Sequence, residues 1–326
     1  MEVEGAAAAV VLAIAAGVTG VPLYNLTIVG GPDTVRDGAA TADEVHDTLG
    51  AGRISEQRVG DSSATAVDPV GGCGATVTFG LFGKSRKSVW FKVRRDAKSA
   101  VDLASPEARL FSGDSVGSVT PGTAWALLPD GCQKGLRAEV QGSDGSDEGR
   151  ARLAVAYANH AAKALNCKGK ELPAPKGLSA RGVPATPDWT ALCGLPGLAP
   201  ARDPQARDGA YKQRVTTASA PIWSCAIGTR SSQSSDVQFT ITTEPRVTTP
   251  SHESGRSPSP YGRALWTGEP GSQEVVATCR GKDVFFHLDS GYEPVIDSQR
   301  LVPDGNDLWR QFLTAGGKAV GCEPIL

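Results

Sequence analysis

Apolar and polar positions along this chain repeat with two periods, and each change of period marks an element boundary. Thr41-Ala42-Asp43-Glu44 has the form of a capping box, in which the Thr hydroxyl and the Glu carboxylate each satisfy a backbone N–H at a helix start. Val45 and Leu49 supply an apolar stripe behind it, so a short helix ending at Gly50 is predicted. Apolar and polar residues alternate from Ala75 to Phe82 and from Ser88 to Arg94 around Gly83-Lys84-Ser85-Arg86-Lys87, the pattern of a hairpin. Ala124 to Leu128 and Leu136 to Val140 read as two further strands. Arg150 to Asn166 is the clearest helix, with Leu153, Tyr157, Ala161 and Leu165 on one face.

A stretch without period follows. Lys168 to Asp188 carries Pro173, Pro175, Pro184 and Pro187 and reads as a linker. Beyond it the order of elements repeats: Val237 to Thr242, Glu274 to Cys279 and Val284 to Leu288 are β-like, and Asp307 to Ala319 places Leu308, Trp309, Phe312 and Leu313 on one helical face. Glu244 to Gly262, with Pro245, Pro250, Pro258 and Pro260, is expected to be a long exposed loop.

The cysteines repeat with the elements. Cys73, Cys132 and Cys167 recur as Cys225, Cys279 and Cys322 at offsets of 152, 147 and 155 residues. Near-constant spacing at three positions implies a tandem duplication. The expected fold class is α+β: two tandem copies of an antiparallel sheet flanked by helices, at 33–168 and 189–326, joined by a Pro-rich linker at 169–188 and preceded by an N-terminal hydrophobic helix within 1–32. The four cysteines of the second copy permit three pairings. Cys193 with Cys225 and Cys279 with Cys322 are preferred, because the first copy then keeps a complete counterpart, Cys132 with Cys167. The position matching Cys193 is Thr41, so Cys73 is expected to remain a thiol.

Composition narrows the function. A formal net charge of −2 over 326 residues gives no electrostatic grip on nucleic acid. No CxxC pair occurs, which disfavours zinc, and no cofactor motif is present. Cross-linking is then the reason to repeat cysteines, and it persists in oxidising compartments. Gly5 to Tyr24 carries no charge and, as a helix, would span about 30 Å at 1.5 Å per residue. Glu2 and Glu4 precede it where a basic segment is normal. The expectation is a single-pass anchor with extracytoplasmic C-terminal domains, the alternative being a cleaved signal and secretion.

The second copy adds a resemblance. Cys193-Gly194-Leu195, Trp223-Ser224-Cys225, Cys279 before Val284-Phe285-Phe286, and a helix ending at Cys322 resemble a family of uncharacterised actinobacterial envelope lipoproteins with a four-cysteine domain. The resemblance implies a fold similar to the PsbP and Mog1 group and a place outside the membrane, and implies no activity. The chain departs from that family in having no lipobox cysteine and in carrying two copies.

Candidate chemistry is sparse. Gly113-Asp114-Ser115-Val116-Gly117 matches the nucleophile elbow, but Pro121 and Gly122 oppose the helix that must follow. His46, His160, His252 and His287 stand apart in sequence and form no ligand spacing. Asp144, Asp147 and Glu148 are more simply the acidic first turn of a helix than a calcium loop. Cys73 reads as a buried, inert thiol at a strand start, the alternative being a reactive or intermolecularly bridging thiol of a redox or disulfide-relay component. The sequence therefore points to a non-enzymatic envelope protein that binds a protein, glycan or lipid partner, with a secreted serine hydrolase acting through Ser115 as the alternative.

Overall fold

The computed structural model describes residues 31–35, 38–58, 71–79, 85–95, 106–133, 135–142, 144–201, 211–216, 221–229, 237–248, 257–266, 273–289 and 305–326. The uncharged stretch Gly5 to Tyr24, His252 and the tip of the predicted hairpin lie outside them. No helix among the described residues is long and apolar enough to cross a membrane.

A two-stranded ribbon, β1 (Thr34–Val35) with β2 (Ala40–Thr41), leads into helix α1 (Ala42–Leu49). The capping box is made: the Glu44 N–H donates to Thr41 Oγ1 at 3.2 Å and the Thr41 N–H donates to Glu44 Oε2 at 2.8 Å. Seven strands follow: β3 (Arg53–Arg58), β4 (Cys73–Phe79), β5 (Ser85–Arg95), β6 (Arg109–Phe111), β7 (Gly117–Thr120), β8 (Thr123–Leu127) and β9 (Leu136–Gln141). Helix α2 (Asp147–Ala164) closes the copy, its first turn capped by Ser146 Oγ, which accepts from the Gly149 N–H at 3.0 Å.

The second copy opens on a 3-10 turn, Leu192–Gly194, where the first has α1. Its strands are β10 (Tyr211–Val215), β11 (Ile222–Thr229), β12 (Val237–Thr242), β13 (Ser257–Pro258), β14 (Leu265–Trp266), β15 (Glu274–Cys279) and β16 (Lys282–Asp289). A short helix α3 (Pro245–Thr248) follows β12, and α4 (Gly305–Ala319) closes the copy.

Both sheets are antiparallel and share one topology. The first has the order β3-β4-β5-β9-β8-β7-β6 and the second β10-β11-β12-β16-β15-β14-β13, so the nth strand of one copy occupies the place of the nth strand of the other. Register agrees as well. Cys73 stands opposite Phe91 as Cys225 stands opposite Phe239, and those two rings meet Tyr157 and Phe312 of the closing helices at 5.3 and 4.9 Å between centroids. The cross-links are Cys132–Cys167, Cys193–Cys225 and Cys279–Cys322. The first and third tie corresponding points, the approach to the last strand and the end of the closing helix. In the second copy a further bridge holds the opening turn to β11, whereas Cys73 takes part in none of the three bridges.

Each sheet buries one face under its closing helix. Val77, Phe91, Val93, Ala138 and Val140 pack with Leu153 and Tyr157 in the first copy, and Phe239, Ile241 and Phe286 pack with Trp309, Phe312 and Leu313 in the second. The opposite faces meet each other. Leu110, Val116, Trp125 and Leu127 of the first copy form one buried cluster with Ile222, Val247, Val276 and Phe285 of the second. Trp125 and Leu127 alternate with the helix-facing Ala124 and Ala126, so β8 is apolar on both sides because both sides are covered. The layers run helix, sheet, sheet, helix.

Two segments depart from the sequence expectation. The long loop predicted from Glu244 begins as helix α3, with Glu244 buried and Val247 buried between the sheets, because Val247 joins the cluster and Arg246 reaches the Leu128 carbonyl of the first copy. The Pro-rich segment 169–188 is tied down along its length. The Ser179 N–H donates to the Leu110 carbonyl, the Leu110 N–H donates to Ser179 Oγ, and the Gly182 N–H donates to the Pro106 carbonyl, each at 2.8 Å. Ala185 then exchanges two hydrogen bonds with Gln213 of β10 at 2.9 Å. One strap thus covers the β6 edge of the first sheet and the β10 edge of the second, satisfying backbone groups that would otherwise be open to other strands.

Candidate functional site

Ser115 lies in the turn between β6 and β7, a strand-to-strand connection and not the strand-to-helix turn that exposes a nucleophile. Its side chain is buried, and its hydroxyl donates to the Pro173 carbonyl of the strap. The flanking Gly117 has a packing reason. A Cβ there would stand 2.0 Å from the Trp125 carbonyl oxygen and 2.3 Å from the Phe111 ring. The motif is a docking turn for the segment that joins the two copies.

The other sequence candidates are similarly engaged in structure. Cys73 is buried at the start of β4. His46 Nε2 lies 2.9 Å from the Gly52 carbonyl, His160 stacks on Tyr157 at 6.0 Å, and His287 Nε2 lies 3.7 Å from Glu274 Oε1. Asp147 sits in the first turn of α2 and accepts from Arg150 and Arg181, both at 2.7 Å. Arg109 of β6 lies 3.4 Å from Asp147 and donates to Glu148 at 2.7 Å. Burial alone would raise the Asp147 carboxyl, but the hydrogen bonds and charges of Arg181 and Arg150 outweigh it and hold the group below the ordinary value of 3.8. Asp147 therefore locks together β6, α2 and the strap. These positions are spread over the fold, and among the described residues Ser115, Cys73 and a histidine are not gathered into one site.

What the sequence reading missed is a face. On β5, Val89, Phe91 and Val93 point to the α2 core, so Arg86, Ser88, Trp90, Lys92 and Arg94 lie on the other side. Register carries that side across the sheet: Trp90 stands between Gly74 and Gln141, Ser88 beside Thr76, Lys92 beside Glu139, and Arg94 beside Arg137. On the outer strand β3, Gln57, Ser55 and Arg53 continue the same rows. Toward β8 this face runs under the second sheet, where Arg137 and Glu139 are buried in register with Leu127 and Trp125. Away from β8 it emerges. Trp90, Lys92 and Arg94 are half-buried, and Arg86, Arg53, Ser55 and Gln57 are exposed.

Packing and hydrogen bonds link the side chains of the shelf. The Trp90 indole lies against Gly74, where an added Cβ would come within 2.5 Å of Cε3 and 2.7 Å of Cζ3. Any larger residue at that position would lift the ring from the sheet. Thr76 Oγ1 and Ser88 Oγ share a hydrogen bond of 2.7 Å. Glu139 gathers its neighbours: Lys92 Nζ at 3.2 Å, Arg137 Nη2 at 3.4 Å, and the Gln141 side-chain amide, which donates at 2.6 Å. Among the described residues, Arg53, Arg86, Lys92, Arg94 and Arg137 share this face with the carboxylate of Glu139, a local excess of positive charge on a chain whose formal net charge is −2. The sequence signal was present in the run from Ser85 to Arg95, which carries several cations, no acid, and a Trp at a polar position of the alternation.

Fold and site together define a disulfide-linked α+β protein built from two seven-stranded antiparallel sheets of equal topology. Comparisons with protein-family models, curated proteins and solved structures find no match.

Proposed function

We propose that this chain is a non-enzymatic extracytoplasmic protein that binds an envelope partner, whether protein, glycan or lipid. The observation that carries the reading is the state of Ser115, whose buried hydroxyl is committed to the Pro173 carbonyl and is not presented to a substrate. Three disulfides point to an extracytoplasmic or secreted protein, since such bridges persist where thiols are not kept reduced. The uncharged stretch Gly5 to Tyr24 supports attachment to the membrane as a single-pass protein, with secretion after cleavage as the alternative. The antiparallel sheets with closing helices are compatible with kinship to the four-cysteine envelope lipoproteins and the PsbP and Mog1 group. Binding would use rims and exposed faces, because the apolar faces of both sheets are taken up by each other and by the helices.

A fluorophosphonate probe tests the non-enzymatic half of the reading: the native protein should remain unlabelled at Ser115. Stoichiometric labelling there would establish the serine hydrolase instead. Protease treatment of intact cells expressing the full chain tests the placement, and cleavage from the outer side is expected.

A further inference from the structure

Resting on the binding-protein reading, we propose that the shelf around Trp90 is a binding site for an anionic glycan, a sugar chain bearing carboxylate or phosphate groups. Three features of the shelf converge on that class. The half-exposed Trp90 ring lies on the sheet over Gly74, a flat apolar plate on which the C–H face of a sugar ring can stack. Around it stand hydroxyl and amide side chains, Gln141 beside Trp90 and Gln57 beyond Gly74 in the same row, with Ser88 and Ser55 in the neighbouring row, which match sugar hydroxyls in both donor and acceptor character. Beyond these, Arg86 and Arg94 lie four residues from Trp90 along β5 in opposite directions, roughly 13 Å each way at about 3.3 Å per residue. Guanidinium groups pair with carboxylate or phosphate in a two-pronged geometry, and Arg53 adds a further one on the outer strand.

The spacing selects an oligomer. A single sugar on Trp90 could not reach both arginines, whereas a chain lying along β5 would stack at its middle and pair its charges at the ends. Lys92 and Arg137 are already turned toward Glu139 and contribute field more than contact. Because Arg86 is exposed and Arg94 half-exposed, the electrostatic part is sensitive to salt. Stacked aromatics with arginines also suit single-stranded nucleic acid. The polar rows of Thr, Ser and Gln and the oxidised cysteines favour the glycan.

The test uses the full chain in calorimetric titrations with four probes: oligogalacturonate as the carboxylate arm, phosphomannan as the phosphate arm, maltohexaose as a neutral control, and a single-stranded oligodeoxynucleotide. Binding of at least one anionic glycan is expected, at least tenfold tighter than maltohexaose and the oligonucleotide. It should weaken at least tenfold in Trp90→Ala and at least fivefold in the surface variant Arg86→Gln/Arg94→Gln, and should weaken as salt is raised. The double arginine variant changes exposed or half-exposed side chains, so it remains informative if Trp90→Ala unfolds. Absence of binding to both anionic glycans, equal binding of maltohexaose, tighter binding of the oligonucleotide, or affinity unchanged in the arginine variant overturns the proposal. Those outcomes leave the fluorophosphonate result untouched, so the site can fail while the non-enzymatic reading stands.

Discussion

Truncating the two large side chains between the sheets together should cost less than the sum of the two changes made separately. Trp125 is fully buried and Phe285 is 2% exposed, and both belong to the cluster that joins the copies. Each change to Ala, taken alone, removes its transfer energy and leaves a cavity, together about 3 to 5 kcal/mol. When the two faces pack on one another, the second truncation enlarges a cavity the first has already opened, and the sheets can settle into it. Coupling between residues sharing a cavity is about 0.5 to 3 kcal/mol, whereas distant sites add within roughly 0.5 kcal/mol. Urea unfolding of the parent, Trp125→Ala, Phe285→Ala and the double variant measures the cycle. The double variant should fall short of the sum by more than about 0.5 kcal/mol. Strict additivity would mean that the copies do not share a core and that the four-layer arrangement is wrong.

Three further outcomes follow from particular contacts. Asp147 ionises more readily folded than unfolded, so its contribution is present above the ordinary value of 3.8 and is lost as pH falls through its lower folded value; Asp147→Asn should lower thermal stability at pH 7 and flatten the loss between about pH 4 and pH 2. Ser115→Ala leaves the Pro173 carbonyl without its donor and should cost about 1 to 3 kcal/mol in denaturant unfolding, which a Ser115→Thr variant able to donate should partly restore. Replacing Cys279 and Cys322 together by Ala opens a loop of 43 residues and should cost about 4 kcal/mol in the chain-entropy model, read as a lower urea midpoint.

The duplication was legible because it is written in cysteines and in the two closing helices, where the apolar stripes of Leu153 and Tyr157 and of Trp309 and Phe312 are strong. Short and edge strands were not. Arg53–Arg58 has Ile54 as its sole apolar residue, since an edge strand with an exposed face needs little hydrophobic signal. The unbroken apolar run from Ala124 to Leu128 did hold the clue that β8 is covered on both sides, but such a run fits a core strand of any kind. Prolines in 169–188 removed periodicity without freeing the segment. Its hydrogen bonds to Leu110 and Gln213 run through backbone groups that every sequence possesses. The shelf escaped notice because the cations of β5 alternate with core residues. Their clustering with Arg53 and Arg137 exists only once strand register brings those rows together.

The most direct test of the account is peptide mapping of the alkylated, non-reduced protein taken from its native compartment. Three linked pairs are predicted, Cys132 with Cys167, Cys193 with Cys225 and Cys279 with Cys322, with Cys73 recovered as the alkylated thiol after denaturation. Recovery of all seven cysteines in reduced form, or of Cys279 joined to any residue other than Cys322, would contradict a cross-linked double sheet outside the cytoplasm.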